Sequence, residues 1–295
     1  MVHSTVVRNL GKFSMNLWNK LPPNMVESRS FRTLGRVIHR SVCRYSVPRM
    51  SGGTYFLRNV PLLNAIAEQI QNMYRAETGT EAVRVCVTGC CTGAEVYSAL
   101  WVIHGRFPQI PLATTAMDIS ADSVARAEAG RYKPHSVELT RPLDVDTLAS
   151  LFDRDGDELV VKSALRQNIR WLVADAMDPG LADSLGLHDV VLANNFLIHM
   201  NDREAASCML NVARLVRPGG LFVCRGVALP VREKVVQQLG FKPLACYIEE
   251  IHNADEKFDA RKDWPWRYWA LEPIDKSRKN WTTRYASVFQ AQMVS

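Results

Sequence analysis

Nowhere in the 295 residues do two cysteines stand in a Cys-x-x-Cys pair, and the cysteine count, seven, is odd. That argues against a disulfide framework and against a zinc site of the usual spacing; the thiols read as reduced core groups of a cytoplasmic protein. Cys90 and Cys91 are adjacent and no His-x-His partner accompanies them, so no metal is expected. Long apolar runs are missing too. None approaches the length of a membrane span, and the N-terminus lacks the apolar core of a secretory signal. No internal repeat or low-complexity tract is present.

What is there is ordinary in amount: 47% hydrophobic and 22% charged residues, enough for a sizeable soluble core. The charge is unevenly placed. Up to Met50 there are nine Lys/Arg and one acid, Glu27, so this stretch carries about +8 of a whole-chain +6, leaving the rest near −2. Residues 1–53 therefore read as a basic helical region and linker, and 54–295 as the main domain. Within the leader, Arg32, Arg36, Arg40 and Arg44 recur every four residues and share one helix face, while Leu34, Val37, Ile38 and Val42 line another suited to packing. The basic face is read as solvated, as a contact for an acidic partner surface, or as part of an organelle transit segment. "SVPRMSGG" (46–53) reads as the linker.

Beyond it, strands and helices alternate. "AVRVCVTG", "PLATTAMD", "NIRWLVAD", "HDVVLANNFLI" and "LFVCRGVAL" carry strand patterns, separated by helical ones. "DREAASCMLNVARLVRPGG" reads as a helix stopped by Pro218-Gly219-Gly220. "KPLACYIEEI" and "RYWALEPI" read as two closing strands. The pattern predicts an α/β, doubly wound, mostly parallel sheet of seven strands.

Ligands of such sheets bind beyond the carboxyl ends of the strands. The first strand ends at Gly89, and the turn to Gly93 lets a ligand approach bare backbone. A Walker loop would end in Gly-Lys-Ser/Thr, and a dinucleotide loop would need a third glycine where Glu95 stands. A carboxylate there repels a pyrophosphate and holds an ammonium. Asp118 ends the second strand, where an acid takes ribose hydroxyls, and Asp175 ends the third, placed to accept from an adenine amino group. An adenosyl group with a cationic amino-acid tail, S-adenosylmethionine, fits this set.

Four blocks then resemble one family. "TYFLRN" is similar to a Thr-x-Phe-Phe-Arg motif, with Thr54, Phe56 and Arg58 matching. "GCCTGAEVYS" resembles Gly-Cys-Ser-Thr-Gly-Glu-Glu-Pro-Tyr-Ser, and "AMDISADSVARAEAGRY" and "HDVVLANNFLIHM" resemble two further blocks of the CheR-type methyltransferases. The resemblance runs from about Thr54 to Val227. It implies a Rossmann-like class I methyltransferase fold and S-adenosylmethionine as cofactor. It also implies a small β-subdomain inserted over 134–167, in which "DRDGDE" forms a hairpin turn. It places Thr54, Gly89, Gly93, Glu95, Asp118, Asp175, Ala176, Asn194 and Asn195 around the cofactor, and Arg58 beside the transferred methyl.

The family's Arg-Asn pair is Asn194-Asn195 here, its Tyr is His199, and "RGVAL" follows the fifth strand. A carboxylate acceptor of the protein-glutamate kind is expected to need the Arg58 guanidinium and no base. A small-molecule or glycan acceptor would use His199 as base, and a non-catalytic cofactor-binding module would use neither. The aromatic tail, with Trp264, Trp266, Tyr268 and Trp269, packs a terminal strand or walls an acceptor pocket. Its cations are not interleaved for nucleic acid.

Overall fold

The computed structural model describes residues 15–46, 53–76, 81–254 and 264–293. Residues 47–52 of the expected linker lie outside them. The chain divides into two compact units, Met1–Pro48 with Asp255–Asp275, and Arg49–Ala254 with Lys276–Ser295.

In the first unit, helix α1 (Arg29–Tyr45) carries the four-spaced arginines. Two of them are engaged within the unit. Arg36 pairs with Glu272 at 3.0 Å and Asp275 at 2.5 Å, and Arg32 donates to the Ile274 carbonyl at 2.7 Å. Trp18, Trp264 and Ala270 form a small core against which Phe31 and Ile38 pack. The expected apolar face is therefore corrected. Leu34 and Val37 are exposed, at 49% and 54%, because the core meets the helix through Phe31, Gly35 and Ile38. "RYWALEPI" is not a strand: Ala270 packs in the aromatic core, Pro273 has no N–H for a ladder, and Glu272 is ion-paired to Arg36.

Among the described residues the second unit holds ten strands: β1 (Val83–Thr88), β2 (Leu112–Asp118), β3 (Arg131–Tyr132), β4 (Phe152–Asp155), β5 (Glu158–Val161), β6 (Ile169–Val173), β7 (His188–Asn194), β8 (Val216–Arg225), β9 (Lys242–Pro243) and β10 (Val288–Gln290). Seven of them form one sheet in the order β6-β2-β1-β7-β8-β10-β9. The first five in that order run parallel, and β10 pairs antiparallel with both β8 and β9. β1 is β-branched at four of its six positions and buried at five, as a central parallel strand covered on both faces should be.

Among the flanking helices are α2 (Val60–Ala76), α3 (Ala94–Arg106), α4 (Ala121–Ala129), α5 (Asp202–Ala213) and α6 (Leu229–Gln238). Local chemistry sets their starts. The Ser120 hydroxyl accepts from the Ser123 N–H, and Asn201 with Glu204 makes a reciprocal capping box.

Two details differ from the sequence reading. α5 stops at Ala213, and Pro218, Gly219 and Gly220 lie inside β8, where a register shift against β7 absorbs them and Gly219 takes φ 75. The closing pair is β9 with β10: after Pro243 the chain turns into a helix at Ile248–Asn253, and "VFQ" supplies the last strand. A second sheet, β3-β5-β4, forms the insertion, and Gly156-Asp157 make the hairpin turn between β4 and β5.

Candidate functional site

A cavity of about 310 Å³ opens at the carboxyl ends of β1, β2, β7 and β8. The reversal of strand order on either side of β1 leaves a crevice there. Four turns and one loop supply its walls.

The turn after β1 contributes Gly89, Cys91 and Glu95. Gly89 has φ 67, and a Cβ on it would stand 2.7 Å from the Phe196 ring, so both conformation and space require glycine. Cys91, at φ 49, sends its N–H to Asp118 Oδ2 at 2.8 Å, and the Ser120 N–H donates to Oδ1 at 3.0 Å. One carboxylate at the end of β2 thus fixes the turn after β1 and the entry to α4. Gly93 caps α3 with φ 88 and does not line the cavity.

Glu95 sits in the first turn of α3 and is half-buried. The Asn194 side-chain amide donates to its Oε1 at 2.7 Å, while Asn194 Oδ1 accepts the Arg225 N–H at 3.0 Å. Asn195 takes φ 63, and its N–H donates to the Arg225 carbonyl at 2.8 Å. Burial raises the Glu95 carboxyl above its ordinary range. The Asn194 hydrogen bond and the nearby Arg58 and Arg225 guanidiniums act against that rise.

Arg58 lies on the loop before α2. Its guanidinium stands over the Tyr55 ring, 5.2 Å from the centroid, and donates to the Gly53 carbonyl at 3.3 Å. Two bonds anchor the loop: Leu57 N–H to Ser98 Oγ and Phe56 N–H to the Glu138 carbonyl, both at 2.9 Å. His199 faces the same cavity. Burial, and then the Arg58 charge, lower its pKa, so the ring is neutral at neutral pH, and its Nδ1 is buried without a hydrogen-bond partner among the described residues.

Of the residues singled out in the sequence, Thr54, Arg58, Gly89, Glu95, Asp118, Asn194, Asn195 and His199 line this one cavity. Asp175 and Ala176 do not. Asp175 is exposed and its carboxylate accepts the Met177 N–H at 2.8 Å, while the Ala176 carbonyl accepts from Asn211. Tyr55, Ile119, Phe196 and Arg225 also line the cavity and were missed. Tyr55, Ile119 and Phe196 each directly follow a residue that was found, and Arg225 sits in the "RGVAL" departure.

An adenosyl sulfonium with an amino-acid tail suits these walls. They offer two carboxylates and bare glycine backbone, beside the apolar Ile119 side chain, itself 61% exposed. The sequence pattern of the CheR methyltransferase, SAM binding domain, matches residues 53–241. The chain belongs to the CheR methyltransferase family.

It is 23% identical over 213 residues to chemotaxis protein methyltransferase 2 of Vibrio cholerae, covering 70% of this chain and 73% of that protein. It is 26% identical over 193 residues to a Pseudomonas putida protein named "Probable biofilm formation methyltransferase WspC", covering 65% of this chain but only 44% of that one. Among solved structures, magnesium protoporphyrin IX methyltransferase from Synechocystis with bound SAM aligns over 76% of this chain and 88% of its own, with 14% identity and a TM-score of 0.36. As a CheR family member the protein is an S-adenosylmethionine-dependent methyltransferase.

Proposed function

We propose that the protein methylates a carboxylate, of the kind presented by a glutamate side chain on a partner protein. The observation that carries this reading is Arg58. Its guanidinium lines the cofactor cavity, held over Tyr55 and tied to the Gly53 carbonyl. S-adenosylmethionine supplies a methyl on a sulfonium, and a carboxylate is already ionised at neutral pH. The acceptor then needs a cation to hold it and a site that excludes water, not a base. An arginine fork gives two parallel donors to such a group. The Vibrio relative's name, a chemotaxis methyltransferase, supports the same class.

In this reading Glu95 takes the cofactor's ammonium and Asp118 its ribose hydroxyls. Thr54, Gly89, Asn194 and Asn195 form the surrounding wall. Gly93 acts by starting α3, and Asp175 and Ala176 act by shaping the turn after β6. The acceptor protein is proposed to present an acidic surface. On α1, Arg29, Arg40 and Arg44 are exposed for it, whereas Arg32 and Arg36 are already paired. The free thiols, four of them buried, support a reducing, cytoplasmic setting.

The second reading, a small-molecule or glycan hydroxyl or amine with His199 as base, is favoured by the depressed His199 pKa and its unpartnered Nδ1. Labelling a host lysate with methyl-tritiated cofactor separates the two. A carboxyl ester releases volatile label on mild alkali from the protein fraction. Label that is stable to alkali, or confined to small molecules or glycans, contradicts the carboxylate reading.

A further inference from the structure

Glu138 belongs to the insertion, in a short 3-10 turn at Val137–Leu139, and lies outside the cavity wall. Its side chain is fully buried. Oε1 accepts the Thr92 hydroxyl at 2.8 Å and Arg126 Nη2 at 3.2 Å. Thr92 stands between Cys91 and Gly93, in the turn that runs from Gly89 into α3, and Arg126 stands on α4. From the same residue, the backbone carbonyl accepts the Phe56 N–H in the loop that carries Arg58. Tyr132, at the head of the insertion, reinforces both links. Its hydroxyl donates to the Thr92 carbonyl at 2.5 Å, and its ring meets Phe56 edge-on at 5.0 Å.

A fully buried carboxylate is costly unless it is held by donors. Here the donors, both to Oε1, come from the cofactor turn and from α4, while Oε2 is buried with no hydrogen-bond partner among the described residues; the main chain of the same residue holds the acceptor-side loop. We propose that Glu138 is a positioning residue: it sets the glycine turn and the Arg58 loop in register, so that the insertion, which contributes no residue to the cavity wall, governs cofactor affinity. The role requires the cofactor but no particular acceptor, so it stands or falls separately from the carboxylate reading.

The test is calorimetric titration of the full chain with S-adenosylmethionine. Thr92→Val removes the hydroxyl at constant shape, and Glu138→Gln removes the charge at constant shape. Each single variant is expected to weaken Kd about tenfold or more, the worth of one buried hydrogen bond to a charged group. Thr92→Ser should restore wild-type affinity. The double variant should lose no more than the weaker single variant, because one link is being cut twice. A purely structural Glu138 would lower the melting temperature while leaving Kd at the wild-type value. That result, or losses that simply add, overturns the proposal.

Discussion

The Asn194 side chain joins two groups at once: its amide donates to Glu95 at 2.7 Å and its oxygen takes the Arg225 N–H at 3.0 Å. β7 thereby holds the first turn of α3 and the end of β8 in fixed relation. Glu95 keeps its carboxylate in a place where burial disfavours the charge.

That cost should be visible. A carboxyl whose folded pKa is raised adds stability at low pH and loses it as pH rises through that pKa. Glu95→Gln still accepts from Asn194 and removes the buried charge. It should raise the melting temperature of the cofactor-free protein at neutral pH and weaken S-adenosylmethionine binding about tenfold or more. In the wild type, affinity should fall on acidification at a higher pH than an ordinary glutamate would give. Thermal scans and calorimetry across pH check both.

Arg58→Ala should cut kcat about 100-fold or more, the usual scale for losing the partner of a desolvated charge. Cofactor Kd should stay within about threefold. Parallel loss of binding and turnover would move Arg58 to the cofactor.

His199 is neutral at neutral pH through burial and the Arg58 charge. With a carboxylate acceptor the rate needs no base. His199→Gln should then cost less than about tenfold, and the wild-type rate should stay flat from about pH 6.5 to 8. A loss of about 10² to 10⁴ in the variant would instead mark a base and favour the hydroxyl or amine acceptor.

Gly89→Ala places a Cβ at φ 67 and 2.7 Å from the Phe196 ring. The strain should cost more than about 1 kcal/mol, read as a fall of several degrees in melting temperature, together with loss of cofactor binding.

The five parallel strands were legible because each is a short β-branched run followed by a turn and a helical pattern. The closing pair was not. "RYWALEPI" alternates like a strand, yet its Ala270 packs with Trp18 and Trp264, and its Glu272 pairs with Arg36. "VFQ" is too short to announce itself, and it is a strand through its pairing with β8, where Phe289 stands opposite Phe222. Pro218-Gly219-Gly220 signals a helix stop in isolation, but a register shift between β7 and β8 houses it. In the site, strand-end position found Glu95 and Asp118. The same rule overreached at Asp175, whose carboxylate closes its own turn. Glu138 could not be found from the sequence, since only the folded insertion brings it to Thr92.

The most direct test titrates S-adenosylmethionine into the wild-type protein and into Asp118→Ala. The account predicts saturable one-to-one heat with the wild type, and affinity at least about tenfold weaker in the variant, which lacks both the proposed ribose acceptor and the anchor for the Cys91 and Ser120 amides. Equal affinity in the two proteins, or no heat with either, would contradict it.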